Sequence, residues 1–258
     1  MKCKVNFHTH TYRCKHAIGS EKDYVIEAIN KNLTTLGFSD HGPYPDDRFG
    51  YRMEYSELKD YIQTIQSLKF NYRDKINILT GLEIEYDNTM NNYYEYLLNE
   101  LKLDYLALGQ HIYSYNNELV NVFSLDSTDQ YIQYAKSINE ALSTSYFKFL
   151  AHPDVIFINN FPWDNNCEKA CDIIINAAIK NNTILEFNAN GIRRGTEIYP
   201  DGIRHPYPHF NFWSKVAKTN LRVIINSDCH NPKDIWDNSM DKAYDFAKSL
   251  GLNITYKL

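Results

Sequence analysis

Short apolar runs alternate with longer stretches of helical periodicity along nearly the whole chain. The runs are bounded by polar turn residues and are too short for buried helices, so they read as strands. They fall at Lys4–Phe7, Thr35–Ser39, Ile76–Glu83, Tyr105–Gly109, Phe147–Ala151, Thr183–Phe187 and Arg222–Asn226. Between them the pattern predicts helices near Glu21–Lys31, Tyr55–Phe70, Asn91–Leu101, Asp129–Leu142, Cys167–Lys180 and Phe210–Lys218. A last helix near Met240–Ser249 precedes a tail with room for one further strand. Ser20 with Asp23, and Ser127 with Gln130, have the spacing of capping boxes. Strands alternating with helices build parallel sheets. With no Gly/Ser/Pro-rich linker or repeat to divide it, the chain reads as one α/β barrel domain of seven β/α units over residues 1–258.

The strand ends carry the chemistry. In extended chain, residues two apart share a face, so His8 and His10 project together after the first strand, and His16 follows a short loop later. The second strand runs into Asp40-His41 and the third ends in Glu83-Ile84-Glu85. The fourth leads to Gln110-His111, the fifth to His152-Pro153-Asp154 and the seventh to Asp228-Cys229-His230. Seven of the nine histidines thus lie at carboxyl ends of predicted strands. In a parallel barrel those ends meet on one face, where active sites of this architecture form.

Imidazoles and carboxylates without a cysteine framework suit zinc, iron or manganese. Seven histidines with Glu83 and Asp228 exceed the needs of one four-coordinate ion, which implies two or three. Glu83, closing a strand among the histidines, is the natural bridging carboxylate, with Glu85 on the same face as its competitor. Two ions about 3.5–4 Å apart can hold a hydroxide between them and clamp both oxygens of an in-line displacement. Asp40 and Asp154 read as residues that orient neighbouring histidines. Cys229 points away toward packing, whereas Cys14 lies near the candidate ligands.

Composition narrows the setting. The formal charge of −5 is spread along the chain, without a basic cluster for nucleic acid. No stretch reaches the length of a membrane span, and the N-terminus lacks a signal-peptide pattern. Five cysteines without disulfide spacing fit reduced thiols in a cytoplasmic protein. Arg193 and Arg194, after the sixth strand, offer planar guanidinium forks suited to phosphate oxygens. The proline-rich segment from Pro200 to His209 reads as a long loop over the same face, bringing Arg204, His205 and His209 as substrate contacts. The loop from Pro43 to Tyr51 adds another part of the rim.

His-Thr-His with a following His, Ser-Asp-His-Gly, Gly-Leu-Glu-Ile-Glu, Gln-His, Ala-His-Pro-Asp, Glu-Phe-Asn-Ala-Asn-Gly and Ser-Asp-Cys-His occur in that order. Together they resemble the polymerase and histidinol phosphatase (PHP) superfamily, closest to its stand-alone histidinol-phosphatase branch. The resemblance implies a distorted (β/α)7 barrel with a trinuclear site at the carboxyl ends of the strands. One metal would take His8, His10, Glu83 and Asp228. A second would share Glu83 and add His111 and His152. The third would take His16, His41 and His230. The implied activity is metal-dependent hydrolysis of a small phosphomonoester, L-histidinol phosphate, in histidine biosynthesis. Glu83 and Asp228 would act through the metals, and Arg193 or Arg194 on the phosphoryl oxygens. Phosphotyrosine-protein phosphatases and replication-associated DNA modules use related barrels and stand as alternatives. The oligomeric state is not legible.

Overall fold

The computed structural model describes residues 3–116 and 118–258. Eight parallel strands form one curled sheet: β1 Val5–Asn6, β2 Thr35–Phe38, β3 Asn77–Ile84, β4 Tyr105–Leu108, β5 Phe149–Leu150, β6 Ile184–Asn188, β7 Arg222–Asn226 and β8 Asn253–Ile254. Each pairs with its sequence neighbour. All seven expected strands are present, some shorter than expected, and the tail adds an eighth, so a count of seven understates the sheet.

Helices α1 Glu21–Asn30, α2 Leu58–Tyr72, α3 Asn91–Glu95, α4 Asp129–Ser143, α5 Asn165–Asn181, α6 Asn190–Arg193, α7 Phe210–Val216 and α8 Asn238–Ser249 fill the connections. α3 continues into a π turn over Tyr96–Glu100. Asp23 caps α1 as its spacing required, accepting from both Ser20 N and Ser20 Oγ at 2.7 Å. Gln130 reaches back to Asp126 N at 2.6 Å and Ser127 N at 3.4 Å, although the N-cap itself is Thr128. Cys167 and Cys171 lie on the buried side of α5.

The sheet curls until β1 lies beside β7, but among the described residues no regular ladder joins them. Two asparagine side chains do so: Phe7 N donates to Asn226 Oδ1 at 2.8 Å, and Ser227 N to Asn6 Oδ1 at 3.0 Å. Above this seam Thr9 and Cys229 form one parallel bridge. Inside the curl, buried Tyr105 donates to the carbonyls of Phe7 at 2.7 Å and Phe38 at 2.9 Å. A Cβ at Gly37 or Gly81 would overlap its ring or hydroxyl.

Two hairpins rise from the loops. One pairs Ile112–Tyr115 with Glu118–Asn121. The other pairs Glu197–Tyr199 with Gly202–Arg204 through a turn at Pro200-Asp201. The second replaces part of the irregular loop expected after Pro200, since proline and glycine fall at the turn and its boundary and leave both short strands intact. No helix among the described residues is long and apolar enough to cross a membrane.

Candidate metal centre

The strand ends converge as the periodicity required. Glu83, buried at the end of β3, lies at the middle of a nest of imidazoles. Its Oε2 is 3.1 Å from His41 Nδ1, 3.3 Å from His8 Nε2 and 3.4 Å from His10 Nε2. Its Oε1 is 2.8 Å from His152 Nε2 and 3.6 Å from His111 Nε2. Asp228 Oδ1 lies 3.1 Å from His10 Nε2 and 3.6 Å from His8 Nε2. His16 and His230 complete the outer edge, with their Nε2 atoms 3.0 Å apart. Gly109 makes the crowding feasible, because a Cβ there would overlap the Glu83 carboxylate.

Glu85 has different neighbours. It pairs with the buried Arg52 guanidinium and lies 3.3 Å from His111 Nδ1, so it orients His111 while Glu83 occupies the centre. Asp40 accepts from Thr11 N at 2.6 Å and Thr11 Oγ1 at 2.8 Å, fixing the turn after His10. The loop to His16 is clamped by Arg13, which binds Glu21 and, at 2.7 Å, Asp60. His16 Nδ1 lies 2.8 Å from the Cys14 carbonyl.

Backbone conformation at two of these positions is unusual. His152 has φ +28° and Asp228 has φ +46°, a region that non-glycine residues seldom occupy. Such strain persists where surrounding contacts over-determine it and clusters at functional sites.

The electrostatics follow from burial and crowding. Burial opposes charge on His8, yet the carboxylates of Glu186, Asp228 and Glu83 overcome it and hold its pKa well above the ordinary range. Burial would likewise raise Glu83, but His8, His111 and His41 pull it well below the usual carboxylate range. Asp228 is lowered in the same way, with His8 and His10 outweighing burial. Burial wins at His41, pushing it well down, and takes His230 to about 4.

The donor set fits divalent cations. His8 Nε2, both ring nitrogens of His10, His152 Nδ1 and Glu83 Oε2 are buried without a hydrogen-bond partner among the described residues. Buried polar atoms are normally satisfied. Several here belong to triads whose ligand atoms lie within 4.8 Å of one another: His8 with Glu83 and His152, His8 with His10 and Asp228, and His16 with His41 and His230. The clusters can hold several metal ions. His10, Cys14 and His230 form a further such triad, which keeps Cys14 close to the centre.

The nest opens into a cavity of about 580 Å³, lined also by Tyr51, Arg52, Phe123, Asn190, Arg194 and Tyr207. Gly50 and Tyr51 confirm the expected loop at its rim. Four anticipated substrate contacts lie elsewhere. Arg193 is bound to Asp237 at 3.0 Å and to the Ser227 carbonyl at 2.9 Å, which ties α6 to the start of α8. Arg204 is held by Asp201 at 2.9 Å and lies over the Tyr199 ring. His205 Nδ1 meets the Gly195 carbonyl at 2.8 Å. His209 bonds Asp201 at 2.9 Å and stacks on Trp163, while Asp154 accepts from His209 N and Trp213 Nε1 rather than facing the cavity. Arg193→Ala is expected to lower stability by roughly 1–3 kcal/mol, by stranding partly buried acceptors. Urea unfolding checks this, and an unchanged midpoint would refute it.

Arg194 is the expected arginine that does reach the cavity, and among the described residues it has no acid partner within ion-pair distance. Glu186 and Arg52 carried no role in the sequence reading. Glu186 had a legible signal, since Glu186 and Asn188 place polar side chains two apart on one face of an otherwise apolar strand.

A curled parallel sheet whose carboxyl ends gather imidazoles and acids defines a multinuclear metal-binding α/β protein. The PHP domain profile matches residues 6–190, and the chain belongs to the PHP domain family. A probable histidinol-phosphatase from Deinococcus radiodurans is 23% identical over 258 residues, covering 97% of this chain and 95% of its own. A histidinol-phosphatase from Bacillus subtilis is 25% identical, covering 88% and 94%. The histidinol phosphate phosphatase of Lactococcus lactis, crystallised with zinc, L-histidinol and phosphate, superposes with a TM-score of 0.75. It is 18% identical, over 97% of this chain and 95% of that one. That likeness establishes a shared fold.

Proposed function

We propose that this chain is a metal-dependent phosphomonoesterase that hydrolyses L-histidinol phosphate to L-histidinol and phosphate. One observation carries the reading: Glu83, Asp228 and seven histidines gather in one nest, five of the histidines lining a cavity where Arg194 has no acid partner among the described residues. The substrate follows from relatives named histidinol-phosphatase that align over most of the chain. The reading treats residues 1–258 as one catalytic unit. Its substrate is a small molecule rather than nucleic acid, which the net charge of −5 disfavours. It also fits a cytoplasmic setting, where the five free cysteines stay reduced.

Two or three ions of zinc, iron or manganese would be held by three groups of side chains. His8, His10, Glu83 and Asp228 form the inner group. Glu83, His111 and His152 form the second, and His16, His41 and His230 the outer one. When bound, such ions supply Lewis acidity that lowers the pKa of water and neutralises charge on the phosphoryl group. The protein contributes position. Glu83 and Asp228, held ionised by their imidazole neighbours, would offer the cations negative charge. Arg194 would grip phosphoryl oxygens with its planar fork, and Tyr207, Val155 and Phe123 narrow the water-accessible space beside it.

Phosphate release from a panel of monoesters, with and without added metal, tests the assignment. Histidinol phosphate is expected to be turned over best, ahead of glycerol phosphate and a phosphotyrosyl peptide. Strong turnover of another ester with none of histidinol phosphate would remove the substrate claim. Arg194→Ala should lower kcat/KM by about 10²-fold, the scale of one lost charge-assisted phosphate contact. An unchanged kcat/KM would exclude Arg194 from the phosphate site.

A further inference from the structure

β6 places no candidate ligand in the cavity, yet its polar side chains touch ligands from three other strands. Glu186 is fully buried and receives four hydrogen bonds. Its Oε1 accepts from His8 Nδ1 and Asn226 Nδ2, both at 2.8 Å. Its Oε2 accepts from His152 N at 2.9 Å and Asn188 Nδ2 at 2.8 Å. The same Asn188 Nδ2 lies 3.1 Å from Asp228 Oδ2, so one amide spans both acids. Asn190 Nδ2 adds a bond to Asp228 Oδ2 at 3.2 Å.

An ionised carboxylate has about four acceptor sites and no donor. Glu186 is therefore saturated by donors, and His8 Nδ1 must keep its proton. The His8 atom free to ligate is then Nε2, which already faces Glu83 and Asp228. The outer imidazoles have no comparable backing. His16 Nδ1 meets the Cys14 carbonyl at 2.8 Å, and His230 Nδ1 meets the Asp228 carbonyl at 3.2 Å with that residue's carboxylate farther off at 3.8 Å. His41 Nδ1 faces Glu83 itself at 3.1 Å rather than a separate supporting acid. The His16 and His230 rings are also more exposed than His8 or His10.

We propose that Glu186 and Asn188 are positioning residues that make the group His8, His10 and Asp228 the tightest holder of divalent metal, leaving the group His16, His41 and His230 exchangeable. The inference rests on the metal-centre reading above. Glu186 fixes the ring and proton of His8, and Asn188 locks Asp228 to the same carboxylate. Loss of either should loosen the inner ion selectively.

The test loads the full chain with Zn²⁺, dialyses it against a graded series of chelator, and counts zinc per chain by plasma emission spectrometry. The wild type should release zinc in steps. His230→Ala should lack the early-released equivalent and keep the late one. Glu186→Gln and Asn188→Ala should weaken the late-released equivalent by about 10–100-fold, the usual cost of losing a ligand's supporting partner. The early step should stay in place, which a general folding defect would not allow. Single-step release by the wild type, or loss of the late equivalent in His230→Ala, overturns the proposal even if both β6 variants misfold. Folded β6 variants that hold the late zinc as tightly as the wild type do likewise. A wild type that binds no zinc overturns the metal reading itself.

Discussion

Glu83→Gln should abolish most of the phosphomonoesterase activity, lowering kcat by about 10³-fold or more. The carboxylate has one oxygen within 3.4 Å of three imidazole nitrogens and the other within 3.6 Å of two more. An amide of the same shape removes the negative charge and turns an N–H₂ group toward atoms where cations belong. Metal sites supply several kcal/mol of transition-state stabilisation, and each 1.36 kcal/mol is tenfold in rate. Glu85→Gln should cost far less, about 10–100-fold, because Glu85 acts on His111 from behind. Steady-state phosphate release at saturating zinc measures both. If Glu83→Gln kept even a tenth of the wild-type rate, Glu83 could not be the shared carboxylate.

Exhaustive chelation should silence the enzyme and soften the fold. His8 Nε2, both ring nitrogens of His10 and His152 Nδ1 are buried without a hydrogen-bond partner among the described residues, so bound ions would satisfy groups that otherwise weigh against folding. A ligand held at about a thousand times its Kd stabilises by roughly 4 kcal/mol. At the few degrees per kcal/mol usual for a chain near this size, Tm should fall by roughly 10 °C. Ligating imidazoles must be neutral, so metal retention should weaken as pH falls. Calorimetry before and after chelation, then reloading with zinc, manganese or iron, measures both effects. Full activity in protein shown to be metal-free would end the metal-dependent reading.

The convergence was legible because it depends on period and position. A residue at the carboxyl end of a parallel strand has its location set by local pattern, so His41, His111, His152 and Asp228 could be placed from the chain alone. Arg193, Arg204, His205 and His209 could not. None stands at the carboxyl end of a strand of the curled sheet: Arg193 ends α6, Arg204 ends a hairpin strand, and His205 and His209 lie in the stretch before α7. Their directions depend on a remote or folded-back partner, Asp237 for Arg193, Asp201 for Arg204 and His209, and the Gly195 carbonyl for His205. The choice between Glu83 and Glu85 was open for a related reason, since both share a face and only Arg52 separates their roles. Strand β8, two residues long, was legible only as room for one further strand after the last helix.

The seam between β1 and β7 gives the bound ions a mechanical meaning. His8 and His10 stand on one bank, Asp228 and His230 on the other. Among the described residues the banks are stitched by the side chains of Asn6, Asn226 and Ser227, the Thr9–Cys229 bridge and a bond from Ile18 N to the His230 carbonyl at 2.9 Å rather than by a continuous ladder. An ion gripping both banks would act as a rivet at the weakest join of the sheet. The seam would open easily while the cluster assembles and be pinned shut once it is filled.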